Sequence, residues 1–318
     1  MLRQGQRIFC CAFRDCGIVV QTSNLDLSAN KGELKPMIEA LDHAVILVRD
    51  LDAAVADYET LLARQVAWRS SGDGAATALL TLDNTSIELM AATGAGETGD
   101  RVRAALGERG EGLASLAFRV SDVVRMHRRL SRLGLDPEPV TEAGSRNDID
   151  GAELNWTRTR AATNATHGIR HFFMEMPDTR PRSPVLSPSA ITGLDHVVIG
   201  TPAPDRAAAL YGARLGLDMA LDLTNPDWGV RLMFFRCGDM IVEIAHGLKA
   251  GAGEGHDSFR GLSWRAANAE ATQQRLAAAG FDVSEAKAGR KPGTKVFTVR
   301  NRTCGVPTIV IQPTPRRV

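Results

Sequence analysis

Two histidines and two glutamates occupy matching places in the two halves of this 318-residue chain. His43 stands in the phrase Leu-Asp-His-Ala-Val-Ile, and His196 stands in Leu-Asp-His-Val-Val-Ile, 153 residues later. Glu88 and Glu243 each lie at the centre of a short apolar run, and they are 155 residues apart. Imidazole and carboxylate groups bind divalent metals and carry protons, so these residues are the first candidates for chemistry. Because both the residue types and their spacing recur, the two halves of the chain are copies of one unit.

The elements around these residues form four modules. Each histidine phrase is apolar and β-branched, which predicts a buried strand, and an amphipathic helix follows it. A second module follows each glutamate run, and its helix begins at an N-cap, Asp122 or Asn268, and ends at a glycine. The predicted first strands are 41–48, 113–120, 194–200 and 261–267, and the predicted helices are 51–62, 123–133, 205–215 and 269–279. The sequence therefore predicts an α+β fold with two tandem domains, each of two βαβββ modules that form a curved mixed sheet, or half-open barrel.

Segments without this periodicity mark the domain boundaries. The N-terminal segment holds three of the five cysteines and precedes Met37, which opens the first module. It is expected to be a disordered tail, or an extension upstream of a true start at Met37. A later stretch rich in Pro and Ser cannot continue a sheet and predicts a linker. The predicted segments are a tail at 1–36, a first domain at 37–178, a linker at 179–192, a second domain at 193–314 and a short tail at 315–318.

The composition excludes several classes of function. Lys plus Arg (38) nearly balance Asp plus Glu (37), so no overall field attracts nucleic acid or an anionic membrane surface. No apolar run approaches the ~20 residues that cross a bilayer. Five cysteines, odd in number, do not form a disulfide framework, and we expect a reducing, cytoplasmic location. The expected partner is a small-molecule substrate or ligand, and a homodimer is left open.

A strand His-x-x-x-x-Val, a short helix with an aromatic residue (Tyr58 or Tyr211) and a Glu-centred last strand together resemble the vicinal oxygen chelate superfamily. That superfamily includes glyoxalase I, the extradiol dioxygenases and the bleomycin-resistance proteins. The resemblance covers nearly everything from residue 39 to 313, with four modules in register, and is strongest to four-module glyoxalase-like members. It implies the half-open barrel fold, but it says less about activity, because one fold hosts many chemistries.

The resemblance also implies a site for a divalent metal such as Zn, Ni, Mn or Fe. In metal-binding relatives the first-strand His and the last-strand Glu of paired modules point at the cation. His43 and Glu88 match these positions in the first module, and His196 and Glu243 match them in the third. The implied catalytic groups are Glu88 and Glu243, as metal ligands or proton carriers.

The second and fourth modules depart from this pattern, because Ser115 and Ser263 stand at the expected histidine positions. If neighbouring modules pair, each barrel keeps one His and one Glu, whereas a catalytic metal usually has three protein ligands. Pairing of the first and third modules would instead reunite all four residues. A third ligand in the neighbouring arrangement is expected from His171, Glu175 or Gln312. Without one, we expect weak metal binding or none.

Substrate-binding candidates lie in the second and fourth modules. His171 and Glu175 share one face of a predicted strand by the two-residue period, and an inward Phe173 would turn them toward the cavity. Arg290 and Lys291 form a cationic turn that suits a carboxylate or phosphate, although an exposed hairpin tip explains them equally well.

These features favour a glyoxalase-like protein that acts on a small oxygenated organic molecule. Its catalysis would use a divalent metal as a Lewis acid, in an isomerase, lyase or dioxygenase reaction. The alternative is a metal-free module that binds or sequesters a small molecule, as bleomycin-resistance proteins do. A third hypothesis is a scaffold that works through partners.

Overall fold

The computed structural model describes residues 36–250 and 253–314. The tail predicted at 1–36 therefore lies, except for its last residue, outside the described residues, and so does the tail at 315–318.

Four modules follow one another along the chain, as expected. The first consists of β1 (Ile38–Leu47), α1 (Leu51–Leu62), β2 (Trp68–Gly72), β3 (Ala75–Thr81) and β4 (Ser86–Ala92). After a connecting helix, α2 (Glu97–Arg109), the second consists of β5 (Gly112–Val120), α3 (Val123–Arg132), β6 (Thr141–Arg146), β7 (Glu153–Arg160) and β8 (Arg170–Glu175). The third consists of β9 (Ile191–Gly200), α4 (Pro204–Ala208), a π-helical turn (Ala209–Arg214), β10 (Asp218–Asn225), β11 (Val230–Cys237) and β12 (Met240–Gly247). A 3-10 turn (Leu248–Ala250) precedes the fourth, which consists of β13 (Ser258–Ala266), α5 (Ala269–Ala278), β14 (Lys287–Ala288), β15 (Lys295–Val299) and β16 (Thr308–Gln312).

Neighbouring modules pair, and each pair forms one eight-stranded mixed sheet. The strand order is β2-β3-β4-β1-β5-β8-β7-β6 in the first domain and β10-β11-β12-β9-β13-β16-β15-β14 in the second. In both domains the two modules meet through their first strands, which run antiparallel, while the first and last strands of a module run parallel. This confirms the predicted α+β class with two tandem domains of two βαβββ modules, and the first and third modules do not share a sheet.

Strand alternation gives each sheet two different faces. One face of the first domain, which we call its core face, carries fully buried residues such as Ile46, Leu116 and Phe173. The helices α1 and α3 pack there, and their buried side chains join those of the second domain in one continuous apolar core. The opposite face of the first sheet, which we call its open face, carries His43 and Glu88. Helix α2 covers one part of it, where its apolar side chains pack against Val45 and Leu47.

The helix ends follow the predicted capping signals. The side chains of Asp122 and Asn268 accept hydrogen bonds from the backbone amides three residues later, at the N-termini of α3 and α5. Because these caps are interactions between residues close in sequence, they can be predicted from the sequence alone. The helix predicted at 205–215 differs, since only Pro204–Ala208 is α-helical and Ala209–Arg214 is a π-helical turn. Tyr211 of this turn is fully buried.

The Pro- and Ser-rich segment lies along the first domain. Ser183 accepts a hydrogen bond of 2.8 Å from the backbone amide of Thr81, at the end of β3. The backbone amide of Gln65 donates to the carbonyl of Pro184 at 3.0 Å. In the described part of the chain, no helix combines the length and the apolar character that a bilayer crossing demands.

Candidate functional site

His43 and Glu88 lie side by side on the open face of the first domain. The sheet register pairs Val45 of β1 with Glu88 of β4. His43 lies two residues before Val45, so its side chain and that of Glu88 are on the same face of the sheet. The distance between Nε2 of His43 and Oε2 of Glu88 is 3.7 Å. The two side chains are 14% and 23% exposed, so a small molecule on the open face can reach both.

A buried carboxylate fixes the orientation of the His43 ring. Nδ1 of His43 lies 2.9 Å from Oδ1 of Asp42, and Asp42 in turn contacts the guanidinium groups of Arg119, at 3.4 Å, and Arg180. Burial lowers the pKa of His43, and the negative charge of Glu88 opposes this only in part. A neutral ring whose Nδ1–H donates to Asp42 carries its lone pair on Nε2, directed toward Glu88.

The second domain repeats the arrangement in a more buried form. Nε2 of His196 lies 3.4 Å from Oε2 of Glu243, and Nδ1 lies 2.9 Å from Oδ1 of Asp195. The side chains of His196 and Glu243 are only 9% and 1% exposed. Burial lowers the pKa of His196, but the hydrogen bond with Asp195 and the charge of Glu243 outweigh burial, so the pKa lies above its ordinary value.

One hydroxyl distinguishes the two pairs. In the second domain Ser263 of β13 stands opposite His196 in the register, and its Oγ shares a hydrogen bond of 2.6 Å with Nε2. In the first domain the residue opposite His43 is Ala117. Alanine has no hydroxyl, and among the described residues Nε2 of His43 has no hydrogen-bond partner. Nε2 of His43 is therefore available to a ligand, and we call the first pair open. Nε2 of His196 is already bonded to Ser263, and we call the second pair closed.

The residue opposite His43 differs from the sequence-based expectation. The sequence predicts Ser115 at the position equivalent to Ser263, but Ser115 pairs with Val45 instead. Ala117 and Ser263 take the same register position, each opposite the histidine of its own domain, and both sheets have a register shift beside that histidine.

The expected third ligands do not lie beside either pair. His171 is on the core face, fully buried, and its Nε2 lies 3.2 Å from the Tyr211 hydroxyl. Glu175 accepts a hydrogen bond of 3.0 Å from the amide of Val123, and Gln312 accepts one of 3.0 Å from the amide of Ala269. The side chains of Glu175 and Gln312 thus provide hydrogen-bond acceptors for the first backbone amides of α3 and α5.

The orientation of β8 explains why His171 is not at the site. The residue of β8 that faces the open side is Phe172, not Phe173, because Phe172 pairs with Ala117 of β5. Neighbours along a strand point to opposite faces, so this register turns His171 away from the open face.

The cationic turn before β15 is exposed. The Arg290 guanidinium lies 5.1 Å from the centre of the Trp228 ring, and Lys291 is exposed beside it. The turn joins the last two strands in the order of the second sheet, β15 and β14, whereas His196 belongs to β9 near its centre.

The donor set does not suit a tightly held metal. The four residues carried over from the resemblance are divided between two sheets, so they do not form one four-ligand site. Within residues 36–250 and 253–314, no group of three or more His, Cys, Asp and Glu side chains is arranged to hold a metal ion. Each domain offers one imidazole and one carboxylate at the expected place, which is fewer than the three protein ligands usual for a catalytic metal.

Two features of the site were missed at the sequence level. Asp42 and Asp195 precede the histidines in both phrases, and this repeated dipeptide was a usable signal for the Nδ1 partner. Ala117 also had a signal, because it lies five residues before the N-cap Asp122, just as Ser263 lies five residues before the N-cap Asn268.

Two known protein families match parts of the chain. The glyoxalase-like domain family matches residues 41–215, which is more than half of the chain. The glyoxalase/bleomycin resistance protein/dioxygenase superfamily matches residues 195–298. The chain belongs to the glyoxalase-like domain family, which confirms the resemblance inferred from the four modules.

Solved structures share the fold over most of the chain. A mutant of 4-hydroxymandelate synthase from Streptomyces coelicolor has a TM-score of 0.63 at 15% identity, covering 88% of this chain and 94% of that one. The halotolerant catechol dioxygenase BphC has a TM-score of 0.57 at 13% identity, covering 87% of each chain. A hypothetical protein from Staphylococcus aureus has a TM-score of 0.55 at 11% identity, covering 86% of this chain and 99% of that one. No curated protein matches the sequence. At these identities the likeness establishes the fold alone.

Proposed function

We propose that the first domain binds a small oxygenated organic molecule on its open face, through His43 and Glu88 and without a tightly held metal. The observation that carries the proposal is the pair of hydrogen-bond acceptors, Nε2 of His43 and Oε2 of Glu88, that face each other 3.7 Å apart. Two acceptors at this distance need a donor from elsewhere. A ligand hydroxyl supplies it, in the place that the Ser263 hydroxyl takes in the second domain.

The contrast between the domains supports assigning the function to the first. The pair His196 and Glu243 is nearly inaccessible, and Ser263 already engages Nε2 of His196. The second pair therefore shows how a hydroxyl group can bind to a histidine and glutamate arranged in this way. Ala117 leaves room at the open copy because its side chain ends at Cβ.

The same arrangement can transfer a proton. Asp42 accepts the Nδ1–H of His43 and stabilises the ring when Nε2 takes a proton, which is the usual role of a carboxylate behind a catalytic histidine. A bound hydroxyl can lose its proton to Nε2, and Glu88 can accept or return one beside it. In this proposal Glu88 acts as a proton carrier, while Glu243 has a structural role.

The alternative is Lewis-acid catalysis by a divalent metal such as Zn, Ni, Mn or Fe at the same residues. The count of two protein ligands per domain disfavours it. Metal analysis separates the two hypotheses. Protein incubated with Zn²⁺ and dialysed should retain much less than one equivalent by mass spectrometry. Stoichiometric zinc that is lost in His43→Ala would restore the metal-dependent hypothesis.

The direct test exchanges the opposing residue between the domains. Ala117→Ser should place a hydroxyl against His43 and close the first pair, whereas Ser263→Ala should change only the second domain. We would screen a set of phenols, diols and 2-hydroxy acids by NMR, observing the histidine ring resonances. Compounds that shift His43 in the wild type should fail to do so in Ala117→Ser and should still do so in Ser263→Ala. Finding no compound that binds, or equal loss in both variants, would overturn the proposal.

The setting expected for this function is a reducing cytoplasm. Of the described cysteines, Cys237 and Cys304 are both free thiols, which is in keeping with that setting.

A further inference from the structure

Three arginines surround one phenylalanine on the open face of the first domain. The guanidinium groups of Arg158, Arg160 and Arg170 lie 5.7, 5.9 and 5.7 Å from the centre of the Phe172 ring. Arg158 and Arg160 belong to β7, and the other two residues belong to β8. Because each lies an even number of positions from the next along its strand, and Arg160 pairs with Phe172, all four side chains share one face.

One carboxylate, that of Glu138, offsets only part of the positive charge of this cluster. Arg160 forms an ion pair with Glu138. The side chains of Arg158 and Arg170 form neither a hydrogen bond nor an ion pair with any residue in the described part of the chain. Burial lowers the pKa of Arg170, the charges of Arg160 and of Arg101 on α2 lower it further, and the charge of Glu138 opposes these effects in part. Arg158 is exposed, whereas Arg160 and Arg170 are half-buried. Their like charges repel, and a bound anion stabilises such a cluster.

The cluster lies in the same row of the sheet as His43. The register joins His43 to Ala117, Ala117 to Phe172, and Phe172 to Arg160, across β1, β5, β8 and β7. Three strand spacings separate the ends of this row, about 14 Å between backbones. Between them lies Ala117, whose side chain ends at Cβ and is buried.

A cavity opens at the arginine end of the row. Its volume is about 170 Å³, and Glu138, Thr141, Arg158, Arg160 and Phe172 are among the residues that line it. Guanidinium groups present several N–H donors in a planar fork, which suits carboxylate and phosphate oxygens.

We propose that Arg158, Arg160 and Arg170, with Phe172 as their floor, bind an oxyanion, so that the ligand of this domain is an organic anion. Its carboxylate or phosphate lies at the arginines, and its hydroxyl lies at His43 and Glu88. The identification of the ligand as hydroxylated rests on the proposed function, whereas the anion site stands on the arginines themselves.

The test measures binding of two simple probes, inorganic phosphate and benzoate, to the full chain by calorimetry at low ionic strength. Arg170→Gln should weaken probe binding about tenfold or more, because it removes a charge-assisted hydrogen bond to the anion. Glu138→Gln should tighten binding, because it removes the only carboxylate paired with the cluster among the described residues. The matched control is Arg128→Gln, an exposed arginine on α3 in the same domain.

Two further variants separate this proposal from the proposed function. Glu88→Gln and Ala117→Ser should leave phosphate and benzoate binding intact, because neither residue belongs to the arginine cluster. Preference for benzoate would identify a carboxylate ligand, and preference for phosphate a phosphorylated one. The anion site is overturned if neither probe binds the wild type, or if Arg128→Gln weakens binding as much as Arg170→Gln does. Loss of hydroxyl-compound binding in Ala117→Ser bears only on the proposed function.

Discussion

His171 is a titratable residue enclosed in the core between the two domains. Its ring packs edge-on against Tyr211, with centroids 5.6 Å apart, and its Nε2 lies 3.2 Å from the Tyr211 hydroxyl. Burial lowers the pKa of His171 to about 3, and burial raises the pKa of Tyr211. Both groups are therefore neutral over the physiological range, because burial disfavours the charged form of each.

This burial makes the stability of the protein sensitive to acid. In the unfolded chain the His171 ring binds a proton near its ordinary pKa of 6.5, whereas in the folded protein it does so near 3. Between these values the unfolded state binds more protons, so stability falls as the pH falls, by about 1.4 kcal/mol per pH unit from this group. The contribution is fully present above pH 6.5 and is lost progressively toward pH 3.

A variant without the titrating ring isolates this effect. His171→Gln retains a polar partner for Tyr211 but cannot be protonated in this range, so its stability should depend less on pH. Urea unfolding of both proteins at several pH values between about 7 and about 4.5 measures the difference. A wild-type curve that runs parallel to that of the variant would show that His171 is not buried as neutral imidazole.

At the scale of elements, the N-termini of α3 and α5 are stabilised in the same way, each by two side chains that accept hydrogen bonds from backbone amides. An N-cap side chain, Asp122 or Asn268, accepts one backbone amide, and the last strand of the same module supplies a second acceptor. That acceptor is Glu175 in the second module and Gln312 in the fourth. The exposed amides of a helix N-terminus need such partners, which explains polar side chains that were candidates for metal ligands.

Removing the caps should destabilise each domain by similar amounts. Asp122→Ala and Asn268→Ala should each lower the free energy of unfolding by about 1 kcal/mol, the usual effect of losing an N-cap. Glu285→Ala, at an exposed residue outside the helices, is the control and should change it very little. Thermal and urea unfolding measure all three. If Glu285→Ala matches the cap variants, the loss cannot be assigned to capping.

At the scale of the whole molecule, the two domains share one core and are joined by directional hydrogen bonds. Arg129 of α3 donates to the carbonyls of Ala213 and Arg214, both at 2.8 Å. Arg275 of α5 donates to the carbonyls of Thr60 and Leu61, at the end of α1. Each domain thus supplies a hydrogen-bond donor to carbonyls at the C-terminal end of a helical segment in the other domain. This favours unfolding of the two domains as one cooperative unit.

We therefore expect a single calorimetric transition for the chain. Arg129→Ala should lower the free energy of unfolding by roughly 1–3 kcal/mol, because it leaves two carbonyls without their charged donor. Arg128→Ala, at the neighbouring and exposed arginine of the same helix, should have little effect. Two separate transitions in the wild type, or equal losses in the two variants, would contradict the coupling of the domains.

The sequence by itself determined the modules of this protein. The repeated phrases around His43 and His196, the apolar runs around the two glutamates, and the N-caps Asp122 and Asn268 are all signals that act within a few residues. Local propensity and capping depend on neighbouring positions, so the four first strands and most helices were predicted close to their observed bounds. The same repeat predicted the fold class, and the resemblance of its modules to a known superfamily implied the family.

The tertiary structure alone decided which of these residues form a site. The pairing of β1 with β5 sets Ala117, not Ser115, opposite His43, and strand alternation fixes the face to which each side chain points. The same rule directs His171 into the core and Phe172 with its arginines onto the open face. The strands that pair here lie far apart along the chain, so strand pairing, and not local propensity, decides which side chains meet. Sequence supplied the chemical groups, and the pairing of distant strands determined which of them meet.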